Sequence, residues 1–368
     1  MRVLVTGARG FIAKNLIVRL SEKEKYSILE FAREDSIESL SHLVVQADAI
    51  VHLAGENRPR DISSFKKVNA DLTKTLCDEI KASSREILFI LASSTQTDLD
   101  NPYGKSKRAA EAFVEELAVD TGNPTYIYRL PNVFGKWCKP NYNSVVATFC
   151  HNIANDLPIK VHEPSAKLKL VYIDDVVTKF FDSFQHGSTG LSWETVEPEY
   201  SITLGELADQ INTFNKSRYN LISERVGTGF VRALYSTYVS YLPREKFSYS
   251  LPYHEDARGV FVEMLKTKDS GQFSYFTTHP GVTRGGHYHH SKTEKFLVIK
   301  GSARFRFRHI VTDETYEVFS KDEEPLVVET VPGWTHDITN VGEKEMVVMV
   351  WANEIFDRDC PDTVTCEV

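Results

Sequence analysis

The chain has 368 residues, more than one ordinary domain, so two are expected. Its 42% hydrophobic and 11% aromatic content excludes a disordered chain. A formal net charge of −8, with no long basic run, argues against nucleic acid or an anionic membrane as the main partner.

The longest apolar runs, Ile87–Ala92 and Met346–Ala352, are far too short to span a bilayer. The first strand begins at once, which leaves no room for a signal peptide. Cys77, Cys138, Cys150, Cys360 and Cys366 have no pairwise motif spacing, and an odd, scattered set fits a reducing cytoplasm.

Strand-forming residues at Arg2–Val5 run into Thr6-Gly-Ala-Arg-Gly10, and a helix begins with Phe11, Ile12 and Leu16 on one side. A glycine turn between a buried strand and a helix offers free backbone N–H groups and the positive helix end to a phosphate. Gly7 permits the tight turn, Gly10 permits close approach of a pyrophosphate, and Ala13 takes the third small position. The pattern predicts a dinucleotide site involving Gly7, Arg9, Gly10, Phe11 and Ile12. Strand two is expected over Ser27–Phe31. Arg33 just beyond it, with Arg9, suits the extra phosphate of NADP(H).

Ala49-Ile-Val-His-Leu-Ala-Gly55 reads as a buried strand whose end, Leu53, Ala54 and Gly55, lies beside the cofactor; His52 is expected to be a packed strand residue. Phe65–Ala82 has helical spacing and carries Asn69, a further candidate at the cofactor. Ile87–Ala92 is the next strand and opens into Ser93-Ser-Thr95. This alternation predicts a parallel sheet with right-handed crossovers.

Asn101-Pro-Tyr-Gly-Lys-Ser-Lys107 starts a helix that places Tyr103 and Lys107 four residues apart on one face. A phenol with an ordinary pKa of about 10 is a poor acid or base near neutrality. An ammonium beside it favours the phenolate, so the pair can pass a proton to or from a sugar oxygen as hydride moves at carbon. Ser94 at the strand end is placed to bond the same oxygen.

Residues 1 to about 240 resemble an extended short-chain dehydrogenase/reductase of the nucleotide-sugar type. The likeness rests on Thr6-Gly-Ala-Arg-Gly-Phe-Ile-Ala13, His52-Leu-Ala-Gly55, Ser93-Ser-Thr95, Tyr103-Gly-Lys-Ser-Lys107, Arg129-Leu-Pro-Asn-Val-Phe-Gly135 and Val171-Tyr-Ile-Asp-Asp-Val176. It implies Ser94, Tyr103 and Lys107 as the catalytic set. The interval from Ser94 to Tyr103 is shorter than most members show, which leaves Ser93 or Thr95 as alternative holders of the serine role. After the strand Thr125–Leu130, the family's segment beyond Asn132 faces the sugar nucleotide. Lys136 or Lys139 would then meet a diphosphate, Trp137 or Tyr142 would stack on a base, and Asn143 would contact substrate. Helices are expected at Asn143–Asn155 and Thr203–Asn215, the second opening with a Thr203/Glu206 capping box, and a turn at Gly187–Thr189.

Composition changes near residue 240, where Tyr241-Leu-Pro-Arg and Ser250-Leu-Pro-Tyr253 have no helical period. The expected domains are therefore 1–243 and 252–368. Short alternating runs follow at Gly259–Leu265, Gly271–Thr277, Glu294–Lys300, Arg304–His309, Thr315–Phe319, Leu326–Glu329 and Met346–Ala352. They predict an all-β sandwich or barrel. His287 and His289 share a strand face, Glu294 follows across a turn, and His336 arrives from far downstream. Three imidazoles and a carboxylate fit a divalent transition metal, Zn²⁺ first, with His290 a bystander. The two segments resemble the paired motifs of cupins, with Val331 where a proline is usual. Asp256-Ala-Arg-Gly-Val-Phe-Val-Glu263 resembles the opening strand of nucleotide-sugar epimerase cupins, and there Arg258 is placed to meet a substrate phosphate.

The fold expected is thus a Rossmann-type α/β sheet followed by a cupin barrel. The combination resembles a family of two-domain capsular polysaccharide enzymes. That resemblance implies a UDP-linked 2-acetamido-2,6-dideoxy-4-ketohexose, epimerised beside the ketone and then reduced with NADPH to a 6-deoxy-L-talose type product, in a cytoplasmic homodimer. Two other readings stay open: a reductase whose barrel only dimerises or docks substrate, and a non-enzymatic NADP sensor. Tyr103 and Lys107 count against the sensor.

Overall fold

The computed structural model describes the chain except residues 186–188, 252, 257–258, 263–264, 268–270 and 355–358. Arg258 and most of the turn expected at Gly187–Thr189 lie outside the described residues. The chain divides into two compact units, residues 1–144 with 168–201 and residues 145–167 with 202–368.

The first unit alternates strand and helix: β1 (Arg2–Thr6), α1 (Phe11–Ser21), β2 (Ser27–Phe31), α2 (Ser39–Gln46), β3 (Ala49–His52) and the short α3 (Ser63–Phe65). A π-helical turn, Lys66–Asp71, leads into α4 (Leu72–Ser83). Next come β4 (Leu88–Ser94), a 3₁₀ turn at Thr95–Asp98, α5 (Pro102–Thr121), β5 (Thr125–Leu130) and β6 (Asn132–Phe134). After α6 (Val145–Ala154), which belongs to the second unit, come β7 (Lys167–Tyr172), α7 (Ile173–Ser183), β8 (Leu191–Glu194) and β9 (Glu199–Thr203).

Six parallel strands form the sheet β2-β1-β3-β4-β5-β8. Val3, Leu4 and Val5 are fully buried, as a strand covered on both faces requires. Leu4, Leu40, Val44, Ile50, Leu76, Phe89, Val114 and Ile127 form the core beneath α2, α4 and α5. Thr6 pairs with Phe31 on one side and His52 on the other, so the carboxyl ends of β1, β2 and β3 lie level. In an open α/β sheet that edge is where ligands bind.

The second unit holds α6, α8 (Leu204–Asn220), β10 (Ile222–Ser223), α9 (Gly229–Val239), β11 (Ser248–Ser250), β12 (Tyr253–Asp256), β13 (Gly259–Val262) and β14 (Lys266–Thr267). The barrel continues through β15 (Gln272–Thr278), β16 (Thr283–Tyr288), β17 (Glu294–Lys300), β18 (Ser302–His309), β19 (Thr315–Lys321), β20 (Leu326–Glu329), β21 (Trp334–Asn340), β22 (Met346–Ala352) and β23 (Val364–Thr365). Two five-stranded antiparallel sheets, β11-β20-β17-β22-β15 and β19-β18-β21-β16-β23, make a cupin-like barrel. On β18, Ala303, Phe305 and Phe307 are buried while Arg304, Arg306 and Arg308 take the other face. Phe305 meets Phe296 of the other sheet with ring centroids 5.7 Å apart, closing the core between them.

Several elements differ from expectation. The helix expected over Phe65–Ala82 is interrupted by the π turn, and α8 extends five residues beyond Asn215. β8 was not anticipated as a strand, and the strand expected to carry both His287 and His289, β16, ends at Tyr288 before His289. α8 does open with the capping box, Thr203 and Glu206 bonding reciprocally.

Candidate functional site

The turn after β1 is shaped by Gly7, whose φ is +66° and whose absent Cβ would lie 2.7 Å from the Ala54 nitrogen. No side chain fits there, so the backbone of residues 7–10 is held against that of residues 53–54. Gly10 is the N-cap of α1 and carries no capping side chain, which leaves the first N–H groups of the helix for an anion. Phe11 and Ile12 are half-buried in its first turn, and Ala13 is buried.

Behind the turn runs a chain of hydrogen bonds. The Thr6 hydroxyl accepts from the N–H groups of Leu53 and Ala54, both at 3.2 Å, and therefore donates to His52 Nδ1 at 2.6 Å. His52 Nε2 then donates to the Thr73 hydroxyl at 2.8 Å, which donates to the Asn69 carbonyl at 2.7 Å. Burial, aided by the charge of Lys107, holds His52 down at about 3, so it stays neutral in one tautomer. Asn69, in the π turn, accepts from the Glu56 N–H at 2.7 Å and donates to Ser106 Oγ at 3.0 Å. Its amide ties the loop after Gly55 to α5.

Arg9 and Arg33 sit at the same edge and are exposed. Arg9 pairs with Glu34 at 3.2 Å, and Arg33 with Glu56 at 2.8 Å. Exposed pairs are worth only about 0–1 kcal/mol, so neither guanidinium is fixed.

At the end of β4 three hydroxyls diverge. Ser93 Oγ donates to the buried Glu111 at 2.6 Å, Thr95 is exposed, and Ser94 hydrogen-bonds Tyr103. Ser94 is the hydroxyl brought to the phenol. Its neighbour Lys107 is buried and donates to the Ala92 carbonyl at 2.7 Å. Burial lowers Lys107 to about 8 against the opposing charge of Glu111. Burial pushes the Tyr103 phenol up, partly offset by the Ser94 bond. The lowering of Tyr103 by Lys107 expected from spacing is not among the causes that act on the phenol in the protein alone.

The 132–143 segment is split in its environment. Asn132 and Lys139 are exposed, Lys139 lying 5.2 Å from the Tyr142 ring. Asn143 accepts from Arg58 Nε at 2.9 Å, and the Tyr142 hydroxyl donates to Glu56 at 3.0 Å. Trp137 is half-buried. Lys136 is only 1% exposed and its ammonium is 2.8 Å from Asp174. Of the two lysines expected at a diphosphate, Lys136 is thus buried in an ion pair and Lys139 exposed; turning the Lys136 cation away would leave Asp174 uncompensated. The strongly apolar context of Phe134 and Ile173 was not legible from its loop-like composition.

In the barrel, β16 and β21 bring His287 opposite His336 across a bulge between Gly285 and His287. A Cβ on Gly285 would lie 2.9 Å from the His336 carbonyl, so the bulge needs a glycine. One donor atom from each of His287, His289, Glu294 and His336 lies within 4.8 Å of the others. His289 Nε2 is 3.2 Å from Glu294 Oε2, and His336 Nε2 is 3.6 Å from it. Neither ring nitrogen of the buried His336 has a hydrogen-bond partner. Burial and the neighbouring imidazoles of His336 and His289 hold His287 at about 3, hence neutral. Burial opposes ionisation of Glu294, but the imidazoles of His289 and His336 outweigh it and hold the carboxyl well below the usual range. Imidazoles of His287 and His336 held toward the neutral form by burial, an ionised Glu294 and the unpartnered buried nitrogens of His336 are the donor set a divalent metal such as zinc takes. His290 stands apart from the cluster, against the Tyr288 ring.

Sequence reasoning missed Glu111, Glu56 and Thr6. Glu111 lies one turn beyond Lys107 and bonds Arg129 through both oxygens, at 3.0 and 2.8 Å. The helical spacing from Lys107 was the available signal.

Comparison with known proteins gives two family matches along the chain. Residues 3–196 match the NAD dependent epimerase/dehydratase family, and residues 254–364 match the polysaccharide biosynthesis C-terminal domain. The chain is 56% identical to UDP-2-acetamido-2,6-beta-L-arabino-hexul-4-ose reductase of Pseudomonas aeruginosa, over 100% of this chain and 99% of that one. It is similar to the crystal structure of the capsular polysaccharide assembling protein CapF from Staphylococcus aureus, with 42% identity, a TM-score of 0.68 and full coverage of both chains. UDP-glucuronic acid 4-epimerase of Bacillus cereus, 20% identical over 58% of this chain with a TM-score of 0.52, shares the fold of the dinucleotide-binding part. By these matches the chain belongs to the CapF family, in which an NAD dependent epimerase/dehydratase domain is joined to a polysaccharide biosynthesis C-terminal domain.

Proposed function

We propose that this protein is a bifunctional nucleotide-sugar enzyme. Its barrel epimerises a UDP-2-acetamido-2,6-dideoxy-4-ketohexose at a carbon next to the ketone, and its dinucleotide-binding domain reduces the 4-keto group to a UDP-2-acetamido-2,6-dideoxy-L-talose type product. The observation that carries the reading is the bond between Ser94 at the end of β4 and Tyr103, with Lys107 one turn further along α5, buried and bonded to the Ala92 carbonyl of the same strand. The printed activity of the Pseudomonas relative supports the reductive half. We place the functional boundary between residues 243 and 252 and the protein in the cytoplasm, as a homodimer.

When bound, NADPH supplies hydride at the edge formed by Gly7, Gly10 and Ala54, and zinc held by His287, His289, Glu294 and His336 supplies Lewis acidity toward a carbonyl oxygen. Arg9, in the turn after β1, and Arg33, just beyond β2, are both exposed and would pair with the 2′-phosphate of NADPH. Tyr103 delivers a proton from its hydroxyl to the oxygen that becomes the new alcohol. Ser94 orients that hydroxyl, and the Lys107 charge favours the phenolate left behind. Asn132, Lys139 and Asn143 line the path of the nucleotide. Order follows from chemistry: the ketone acidifies its neighbouring carbon, and reduction removes the ketone, so inversion precedes reduction.

The test is one turnover assay with the 4-keto sugar and NADPH in deuterated solvent. Tyr103→Phe is expected to slow NADPH oxidation by about 10²–10⁴-fold while solvent deuterium still enters the sugar. His287→Ala is expected to abolish that exchange. Loss of both signals in folded Tyr103→Phe contradicts separate sites. Full epimerised product from His287→Ala favours a barrel that only docks substrate.

A further inference from the structure

The loop that carries His289 is held by the far end of the chain. The Asp362 carboxylate accepts from the backbone N–H groups of His290, Ser291 and Lys292 at 2.8, 2.7 and 2.7 Å, and from the Ser291 hydroxyl at 3.0 Å. Three successive N–H groups converging on one carboxylate form an anion-binding concavity, and here the anion is part of the chain. The same residue's carbonyl oxygen lies 2.5 Å from His289 Nδ1. A carbonyl only accepts, so Nδ1 carries a proton toward Asp362, and Nε2 is the ring nitrogen left on the side of Glu294, 3.2 Å from its carboxylate. The loop is anchored on its other side as well. Arg232 of α9 donates to Ser291 Oγ at 2.6 Å and to Glu354 at 2.5 Å, and the Ser236 hydroxyl donates to the Ser291 carbonyl at 2.5 Å.

We propose that Asp362 is a positioning residue for the metal centre: it shapes the 289–292 loop with its carboxylate and fixes the tautomer of His289 with its carbonyl, so the last segment of the chain completes the ligand set. The inference rests on the reading of His287, His289, Glu294 and His336 as metal ligands. Partners that orient a ligating imidazole commonly change metal affinity by 10–100-fold when removed. No sequence signal joins Asp362 to His289, 73 residues away.

The experiment uses the full chain stripped of metal by a chelator. Zinc affinity is read by competition with a chromophoric chelator, and ligand geometry by the visible spectrum of the Co²⁺-loaded protein. Asp362→Ala is expected to bind zinc at least tenfold more weakly and to alter the Co²⁺ spectrum, with Asp362→Asn, which keeps one acceptor oxygen, falling between it and the parent. Cys360→Ser, an exposed change two residues away, is expected to match the parent. In ¹⁵N-histidine spectra of the zinc-loaded parent, His289 is expected to carry its proton on Nδ1, toward the Asp362 carbonyl. Should Asp362→Ala fail to fold, Asp362→Asn decides the point. Zinc affinities within twofold of the parent and an unchanged Co²⁺ spectrum would overturn the proposal. A parent that takes up no zinc sinks the metal reading itself, a result distinct from a parent that binds and variants that bind equally well.

Discussion

His52 shows how a single side chain sets the end of a strand. Its two ring nitrogens are committed to Thr6 and Thr73, with the proton on Nε2, and through Thr6 it fixes the N–H groups of Leu53 and Ala54. Its folded pKa of about 3 lies below the ordinary 6.5, so between those values the unfolded chain binds the extra proton. Stability from this residue is therefore present above about pH 6.5 and is lost as pH falls toward 3, by about 1.4 kcal/mol per pH unit. We expect the urea stability of the first unit to drop between pH 7.5 and pH 5.0 by about 2 kcal/mol more in the parent than in His52→Gln. Equal drops would show that the ring is not held neutral. His52 was legible as a packed strand residue, because a lone imidazole in Ala49–Gly55 has apolar neighbours. The partners were not, since Thr6 and Thr73 lie 46 and 21 residues away and only strand pairing and the α4 crossover bring them in. Lys136 marks the opposite case: a loop composition concealed a buried ion pair with Asp174.

Among elements, α8 and β20 carry a buried charge cluster. Glu329 is hydrogen-bonded to Arg218 through one oxygen and to Lys295 through the other, and all three are nearly inaccessible. Burial, with the charge of Arg218, holds the Lys295 ammonium well below its usual range. Removing the carboxylate leaves two buried cations facing each other. Glu329→Gln is expected to destabilise the second unit by about 3 kcal/mol, a fall in Tm of about 6–12 °C by calorimetry. An unchanged Tm would mean that water or a counter-ion reaches the site. Sequence periodicity predicted α8 and β20 as elements but not their pairing. The same holds for the cluster of three histidines and Glu294. The two-residue spacing of His287 and His289 predicted a shared face, whereas the register that sets His336 opposite His287 depends on a bulge. A bulge moves every later side chain by one position and leaves no period to read.

For the whole molecule, the architecture was the most legible part. Alternating buried strands and amphipathic helices gave a parallel sheet, and short alternating runs after residue 250 gave antiparallel sheets, because both patterns are written in local hydrophobic period. The packing of α6, α8 and α9 was not legible, since their apolar stripes fit any apolar surface. The chain passes between its two units three times, after residues 144, 167 and 201. A break within residues 243–252 would therefore not give two self-sufficient pieces. The piece ending at 243 would keep Arg218, Arg232 and Ser236, while their partners Glu329, Ser291 and Glu354 would leave with the other. Produced apart, the halves are expected to precipitate; produced together in one cell, they are expected to reassemble and copurify through a tag on either. Two separately soluble halves that ignore one another would show that these cross-links are dispensable. If they are not, a gene fission at that point can persist only where both products are made side by side, which gives selection a physical reason to keep the two units on a single polypeptide.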